Sequence, residues 1–494
     1  LKTWEALNDR LRELDALQGM RALLEWDRQV KMPPQGAGAR ASQAELISGL
    51  AHQRLTEPVV GEWLSALEAS DGLEQFHRAA VRNVRRSYDR AVKLPESLVR
   101  ATSRAEAAGF TAWVQAKQAD DFVGFAGPLT EIVALKREAV ALLRTDEAHP
   151  YDVLLDQFDP GATVAMLDPM FDRLASGIGE LLDALDGRPH PAALSGTFDV
   201  AAQQALHNEL VASLGYDLTA GRLDEAEHPF TITFGPGDTR ITTHYYADDL
   251  IKGLGGTVHE TGHALYEQGI PRDWRGTGVG SAAGMGLHES QSRFWENFIG
   301  RSLPFCRYLA PRIQEHLGLS VTPAQLYGAQ NRVARSLIRI AADEATYNLH
   351  IIVRYRLECA LLTDQLQVQD LEEAWADTYL DVVGVRPPSA ADGVLQDVHW
   401  CSGAFGYFPS YTIGNLYAAS LGAALEAERP QLWSEIEAGD FAPTLAWLRE
   451  RIHTKGHLED APVLIHQAIG ERDHVADLLD HLWGRQGALY GVSR

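Results

Sequence analysis

The chain has 494 residues, 45% of them hydrophobic and 22% charged, and a formal net charge of −23. That length supports a large core, divided between two lobes of one domain, while the acidic excess excludes nucleic acid and anionic membranes, which need basic surface. The three cysteines, Cys306, Cys359 and Cys401, form no CxxC pair, which argues against a disulfide framework or a thiolate metal site and for a reducing, cytoplasmic home.

Helical patterns dominate. Trp4, Leu7, Leu11, Leu14 and Leu17 recur at three and four residues, and Met20, Leu23 and Leu24 carry the stripe on to the stop at Met32-Pro33-Pro34-Gln35-Gly36. The N-terminal residues contain no apolar signal core, and no window approaches a membrane span. Helices fill roughly 37–185 and 199–214, separated by the break Asp186-Gly187-Arg188-Pro189-His190-Pro191. This break divides an N-terminal helical lobe, 1–190, from the remainder, 191–494. Alternation over Phe230-Thr231-Ile232-Thr233-Phe234, a turn at Gly235-Pro236-Gly237-Asp238 and a return over Arg240-Ile241-Thr242-Thr243 predict a β-hairpin. Such an edge can pair with an extended peptide. A glycine-rich stretch at 272–286 lacks the strand and the Lys-Ser/Thr of a phosphate loop and reads as a packed or flexible connection. Helices resume over about 287–384, break at Arg386-Pro387-Pro388, and return over about 411–490.

The chemistry is concentrated at His259-Glu260-Thr261-Gly262-His263. On a helix the two histidines leave one face on successive turns, so both imidazoles can reach one cation. Glu260 lies about 100° around the helix, placed to act on a water beside that cation. Thr257 is the expected N-cap, and Gly269-Ile270-Pro271 the expected stop. Glu289, in His288-Glu289-Ser290, can supply the third ligand. Two histidines and one glutamate leave a coordination position open, as in catalytic zinc sites. The competing reading is a surface helix with solvated histidines.

Further segments carry a specific resemblance. Asp238-Thr239-Arg240-Ile241-Thr242, Ile338-Arg339-Ile340-Ala341-Ala342-Asp343-Glu344 and Gly393-Val394-Leu395-Gln396-Asp397-Val398-His399-Trp400 join the HETGH and HES runs, and Leu24-Glu25-Trp26-Asp27 is similar too. In this order the chain resembles the carboxypeptidase Taq family of zinc metallocarboxypeptidases across essentially its whole length. The resemblance implies a mainly α, saddle-like, two-lobed fold with a deep groove and a small β-hairpin or sheet beside the metal. It implies an exopeptidase of broad specificity acting on peptides with a free C-terminus, usually as a homodimer.

On that reading His259, His263 and Glu289 hold Zn²⁺, or Co²⁺, and Glu260 serves as general base and then acid. Similarity to distant helical zinc dipeptidases implies oxyanion roles for His399 and Tyr411, with Tyr407 nearer the substrate carboxylate; ordinary buried hydrogen bonding is the alternative for each. A terminal carboxylate suits a bidentate arginine, for which Arg240 and Arg354 are the candidates, with structural salt bridges as the alternative. Asp343 and Glu344 either orient a ligand imidazole or pair within a helix. Two other functions fit the motif: an oligopeptidase or dipeptidyl carboxypeptidase, and a noncatalytic helical protein clipped by a metal. A serine or cysteine hydrolase has no supporting motif.

Overall fold

A computed structural model describes residues 2–494, which are mainly helical with one three-stranded sheet. Residues up to Val92, Pro191–Gln330 and Tyr417–Arg472 form one compact unit; Lys93–His190, Asn331–Leu416 and Asp473–Arg494 form another. The expected division at residue 190 is one of several crossings between them. A proline- and glycine-rich break marks where a helix ends, not which unit the next element joins. Among the described residues no helix is long and apolar enough to cross a membrane.

In the first unit, the helix Lys2–Val30 buries Leu7, Leu11 and Leu14 against Val60, Leu64 and Leu67 of Pro58–Glu68 and Val81 and Val84 of Gln75–Lys93. Each such side chain contributes about 1.5–3 kcal/mol by leaving water. The predicted stripe does not continue: Met20 is 54% and Leu23 44% exposed. Gly19 and Trp26 take over instead. A Cβ on Gly19 would collide with the carbonyl oxygen of Phe234, so its absence lets the helix lie on strand backbone. The Trp26 ring meets Phe234 edge-on at 6.4 Å.

That strand belongs to the sheet. The predicted hairpin is present as β2, Thr231–Gly235, and β3, Asp238–Thr243, with Thr231 opposite Ile241 and Ile232 opposite Arg240. A further strand, β1, Leu223–Glu225, pairs parallel with β3 and makes it central. Three residues are too few for a period-2 pattern to announce.

The helix carrying HETGH spans Leu250–Gly269 and is capped by Asp249, whose side chain accepts from the Lys252 N–H at 3.0 Å. Thr257, the expected cap, is therefore internal. It donates to the Gly253 carbonyl at 3.1 Å and lies 2.7 Å from both Thr243 Oγ1 and His207 Nδ1. Gly253, Gly255 and Gly256 disguised this first stretch, since each costs about 1 kcal/mol in a helix relative to alanine. Tertiary packing overrides that cost. A Cβ on Gly262 would stand 2.6 Å from the Gln291 carbonyl oxygen, so glycine there lets this helix touch the backbone of the segment that carries Glu289. The helix ends at Gly269, as predicted. The glycine-rich stretch that follows is tightly packed: a Cβ on Gly280 would strike the Trp274 carbonyl. Met285–Arg293 is helical, and Phe294–Gly300 continues it as a π-helix.

In the second unit, Glu96–Ala119 packs against Val123–Leu143, and Val164–Leu185 against His474–Tyr490. Tyr347–Leu362 is buried on nearly every face, as a helix in the middle of a core must be. The predicted run of helix over 287–384 is interrupted at 331–346, irregular apart from a single turn at Arg339–Ala341. Asp343 accepts from the N–H groups of Ala345 and Thr346, each at 3.0 Å, and from the Thr346 hydroxyl at 2.9 Å. Such local bonds compete with helix formation.

Candidate metal and active site

His259 and His263 point from the Leu250–Gly269 helix toward Glu289. Their Nε2 atoms lie 3.7 and 3.4 Å from the same oxygen, Glu289 Oε2. One ligand atom from each of the three lies within 4.8 Å of the others. The far side of each imidazole is occupied: His259 Nδ1 is 2.8 Å from Glu296 Oε2, and His263 Nδ1 is 3.1 Å from the His288 carbonyl oxygen. Because a carboxylate and a carbonyl only accept, each Nδ1 carries a proton, which leaves each Nε2 to face Glu289. Two nitrogens and a carboxylate oxygen suit a divalent cation such as zinc.

The surroundings hold this set in place. His288 stacks on His263 at 4.3 Å with an 18° interplanar angle, and is tied to Glu267, which also accepts from Arg275. Glu289 takes a 2.6 Å hydrogen bond from Arg293 on its other oxygen. Glu296 receives Arg293 at 3.1 Å and Arg301 at 3.1 Å. Burial opposes charge on Glu289, but Arg293 and the two imidazoles outweigh it and hold the carboxyl well below the usual range. Burial lowers His263 to about 3, which keeps it neutral and able to ligate. For His259 burial acts downward too, yet Glu289 and Glu296 prevail and its pKa is raised.

Glu260 is 7% exposed, and burial raises its pKa. Its Oε2 accepts from the Thr231 hydroxyl at 2.7 Å, so β2 orients the carboxylate. A buried carboxylate with a raised pKa is suited to exchange a proton near neutral pH.

The remaining sequence candidates divide by environment. Arg240 is committed to its neighbour, with Nε and Nη2 each 2.9 Å from Asp238, and is sandwiched 4.6 Å from the rings of Trp26 and Phe234. Arg354 is 0% exposed; it donates to Asp397 at 2.6 Å and to the His350 carbonyl at 2.7 Å, with its guanidinium over Trp375. A fully enclosed guanidinium offers a substrate no surface, which favours the structural salt bridge for Arg354. His399 Nε2 lies 3.3 Å from the Tyr411 hydroxyl, and its ring stacks on Phe408 at 4.3 Å. Burial, helped by Arg339, lowers His399 to about 3, so the imidazole is neutral. Its Nδ1 is buried with no hydrogen-bond partner among the described residues. Tyr407 meets Tyr411 edge-on at 5.2 Å and Phe158 at 5.0 Å.

Sequence reasoning missed Glu296 and Arg339. Seven residues separate Glu289 from Glu296, which reads as two turns of an α-helix, but the intervening π-helix is invisible to periodicity. Arg339 donates to Asp397 at 2.8 Å and to the Tyr347 hydroxyl at 3.0 Å, and stands 5.1 Å from the Tyr411 ring. Its signal was present in Ile338–Glu344 but was read as helix. Neither Asp343 nor Glu344 orients a ligand imidazole: Asp343 caps Thr346, and Glu344 pairs with Arg485 at 2.6 Å and His481 at 2.9 Å.

The chain is similar to known proteins over nearly its whole length. The sequence profile described as Carboxypeptidase Taq (M32) metallopeptidase matches residues 6–485. The chain is 43% identical to thermostable carboxypeptidase 1 of Thermus thermophilus, with 97% of each chain covered. It is 36% identical to carboxypeptidase 1 of Bacillus subtilis, over 98% of this chain and 97% of that one. The crystal structure of an M32 carboxypeptidase from Deinococcus radiodurans superposes with a TM-score of 0.97 at 36% identity, covering 100% of both chains.

Proposed function

The chain belongs to the carboxypeptidase Taq (M32) family of metallopeptidases and is a metallocarboxypeptidase, and from that premise we propose that it releases single residues from peptides with a free C-terminus. The observation that carries the proposal is the convergence of His259 and His263 Nε2 on Glu289, with Glu260 poised on Thr231. Zinc is the metal this donor set favours, and cobalt a workable replacement. When bound, the cation supplies Lewis acidity toward water and the scissile carbonyl. Glu260 takes the proton of the attacking water and delivers it to the leaving amine; its raised pKa favours both transfers.

His399 and Tyr411 are assigned to the oxyanion, and Tyr407 to the substrate's C-terminal side. The 3.3 Å approach of His399 Nε2 to the Tyr411 hydroxyl supports the first assignment, because it brings the two groups to one place. For the terminal carboxylate we favour Arg339 over the two arginines singled out by sequence. It lies against Tyr411 and keeps 6% exposure where Arg354 has none, whereas Arg240 stands between Trp26 and Phe234, away in sequence from the segment assigned to substrate. Arg240 is kept as the comparison variant. The resemblance further suggests a homodimer, and the sparse thiols a cytoplasmic location; sedimentation of the purified protein tests the first.

The decisive experiment is mass spectrometry of an unstructured peptide set incubated with metal-loaded protein. Ladders shortened one residue at a time from the C-terminus, abolished by chelator and by C-terminal amidation, are expected. Dipeptide or internal products would favour the oligopeptidase reading. Arg339→Ala should lose activity mainly on free-carboxylate peptides, and Arg240→Ala should not.

A further inference from the structure

We propose that Glu358 is a positioning residue, which fixes the segment bearing His399 and Tyr407 by accepting hydrogen bonds from Trp400 and Gly406. The inference rests on the roles given above to that segment. Glu358 has no exposure. Its Oε1 accepts from Trp400 Nε1 at 2.7 Å; its Oε2 accepts from the Gly406 N–H at 2.9 Å and the Tyr151 hydroxyl at 2.5 Å. Trp400 directly follows His399, and Gly406 directly precedes Tyr407. Both ends of the intervening turn are therefore tied to one carboxylate, each next to a residue assigned to substrate.

The same helix grips the segment once more. One turn before Glu358, Arg354 holds Asp397 at 2.6 Å, two residues ahead of His399. At the other end Gly406 adopts φ +89°, and a Cβ there would press on the backbone of Leu154. The turn is thus clamped from both sides. Three donors and no counter-charge in direct hydrogen bond make an unusual environment for a core glutamate. Tyr151 and Cys359 face the carboxyl, with Arg354 the nearby cation, and burial pushes its pKa up to about 7. A residue serving only to fill the core would be more stable as an apolar side chain of equal volume.

The test is a double-mutant cycle on metal-loaded enzyme, using Glu358→Gln, His399→Ala and the double variant. Glutamine keeps the volume and one accepting oxygen, but its NH₂ group faces a donor. Expected are unchanged metal stoichiometry, a kcat loss of about 10- to 100-fold for Glu358→Gln, and a double variant no slower than His399→Ala alone. A purely structural role would instead multiply the two losses. If Glu358→Gln does not fold, Trp400→Phe removes a single donor and should show a smaller kcat loss with the same non-additivity. Wild-type kcat in Glu358→Gln, or multiplied losses in the double variant, would overturn the proposal. Wild-type kcat in His399→Ala would overturn the assignment of the segment, and the positioning role with it.

Discussion

Replacing Glu296 with alanine removes the acceptor of His259 Nδ1 and one partner each of Arg293 and Arg301. The imidazole then loses its fixed tautomer and orientation. Loss of such a partner typically weakens metal affinity about 10- to 100-fold, or about 1.4–2.7 kcal/mol. The upper end is expected here, for two reasons. The 2.8 Å bond is largely shielded from water. In addition, Arg293, released by Glu296, still holds Glu289 at 2.6 Å and draws more of its charge away from the cation. Glu296→Gln keeps an accepting oxygen and should stand at the lower end. Competition against a chromophoric chelator near neutral pH measures both. In the metal-free protein Glu296 helps to raise His259, and a bound proton must leave before the cation can enter. Wild-type affinity should therefore start to fall at a higher pH than that of the alanine variant as the solution is acidified. Metal binding by Glu296→Ala within about twofold of wild type would refute the reasoning.

Glu260→Gln should retain its metal and lose about 10²- to 10⁴-fold in kcat, the usual worth of a general base; metal analysis and steady-state kinetics read both. Thr231→Val removes a hydrogen bond to the ionised form of Glu260, so its pKa should rise further, moving the acidic limb of kcat/KM up by about one pH unit. An unshifted profile would contradict the orienting role of β2. Burial lowers His207, His350 and His453 from 6.5 to about 3. Because each folded pKa lies below the unfolded one, the unfolded chain takes up the extra protons between those values. Their stabilisation is complete above pH 6.5 and is lost as pH falls toward 3, by up to about 1.4 kcal/mol per pH unit for each. Urea midpoints that rise between about pH 7 and pH 5 would count against this.

Much of the candidate ligand set was legible because it is local. His259, Glu260 and His263 lie within one stretch whose helical period dictates a shared face, and the hairpin announced itself by alternation. What stayed hidden depends on contacts distant in sequence. Asp249 caps a helix whose first turns are glycine-rich, and these glycines signal a loop until His244 and Pro229 are seen packed against Gly253 and Gly256. Arg354 carries the right chemistry for a carboxylate, and only the fold reveals that Asp397 and Trp375 enclose it. Glu296 was obscured by a π-helix, and Arg339 by a segment that Asp343 turns away from helix.

The interleaving of the two units constrains how the protein is made. A unit that begins at Lys93 is completed only by Asp473–Arg494. There the Tyr490 hydroxyl accepts from the Val333 N–H at 2.9 Å, while Arg485 and His481 secure Glu344. During synthesis from the N-terminus, the irregular stretch around Arg339 lacks its bonds to Tyr490, Arg485 and His481 until the helix His474–Tyr490 leaves the ribosome. Cutting the chain at residue 190 yields two pieces, each missing part of its own core. Removing the last twenty or so residues would therefore damage a region more than a hundred positions upstream, and a nascent chain stalled near its end would be a target for chaperones rather than a nearly finished enzyme.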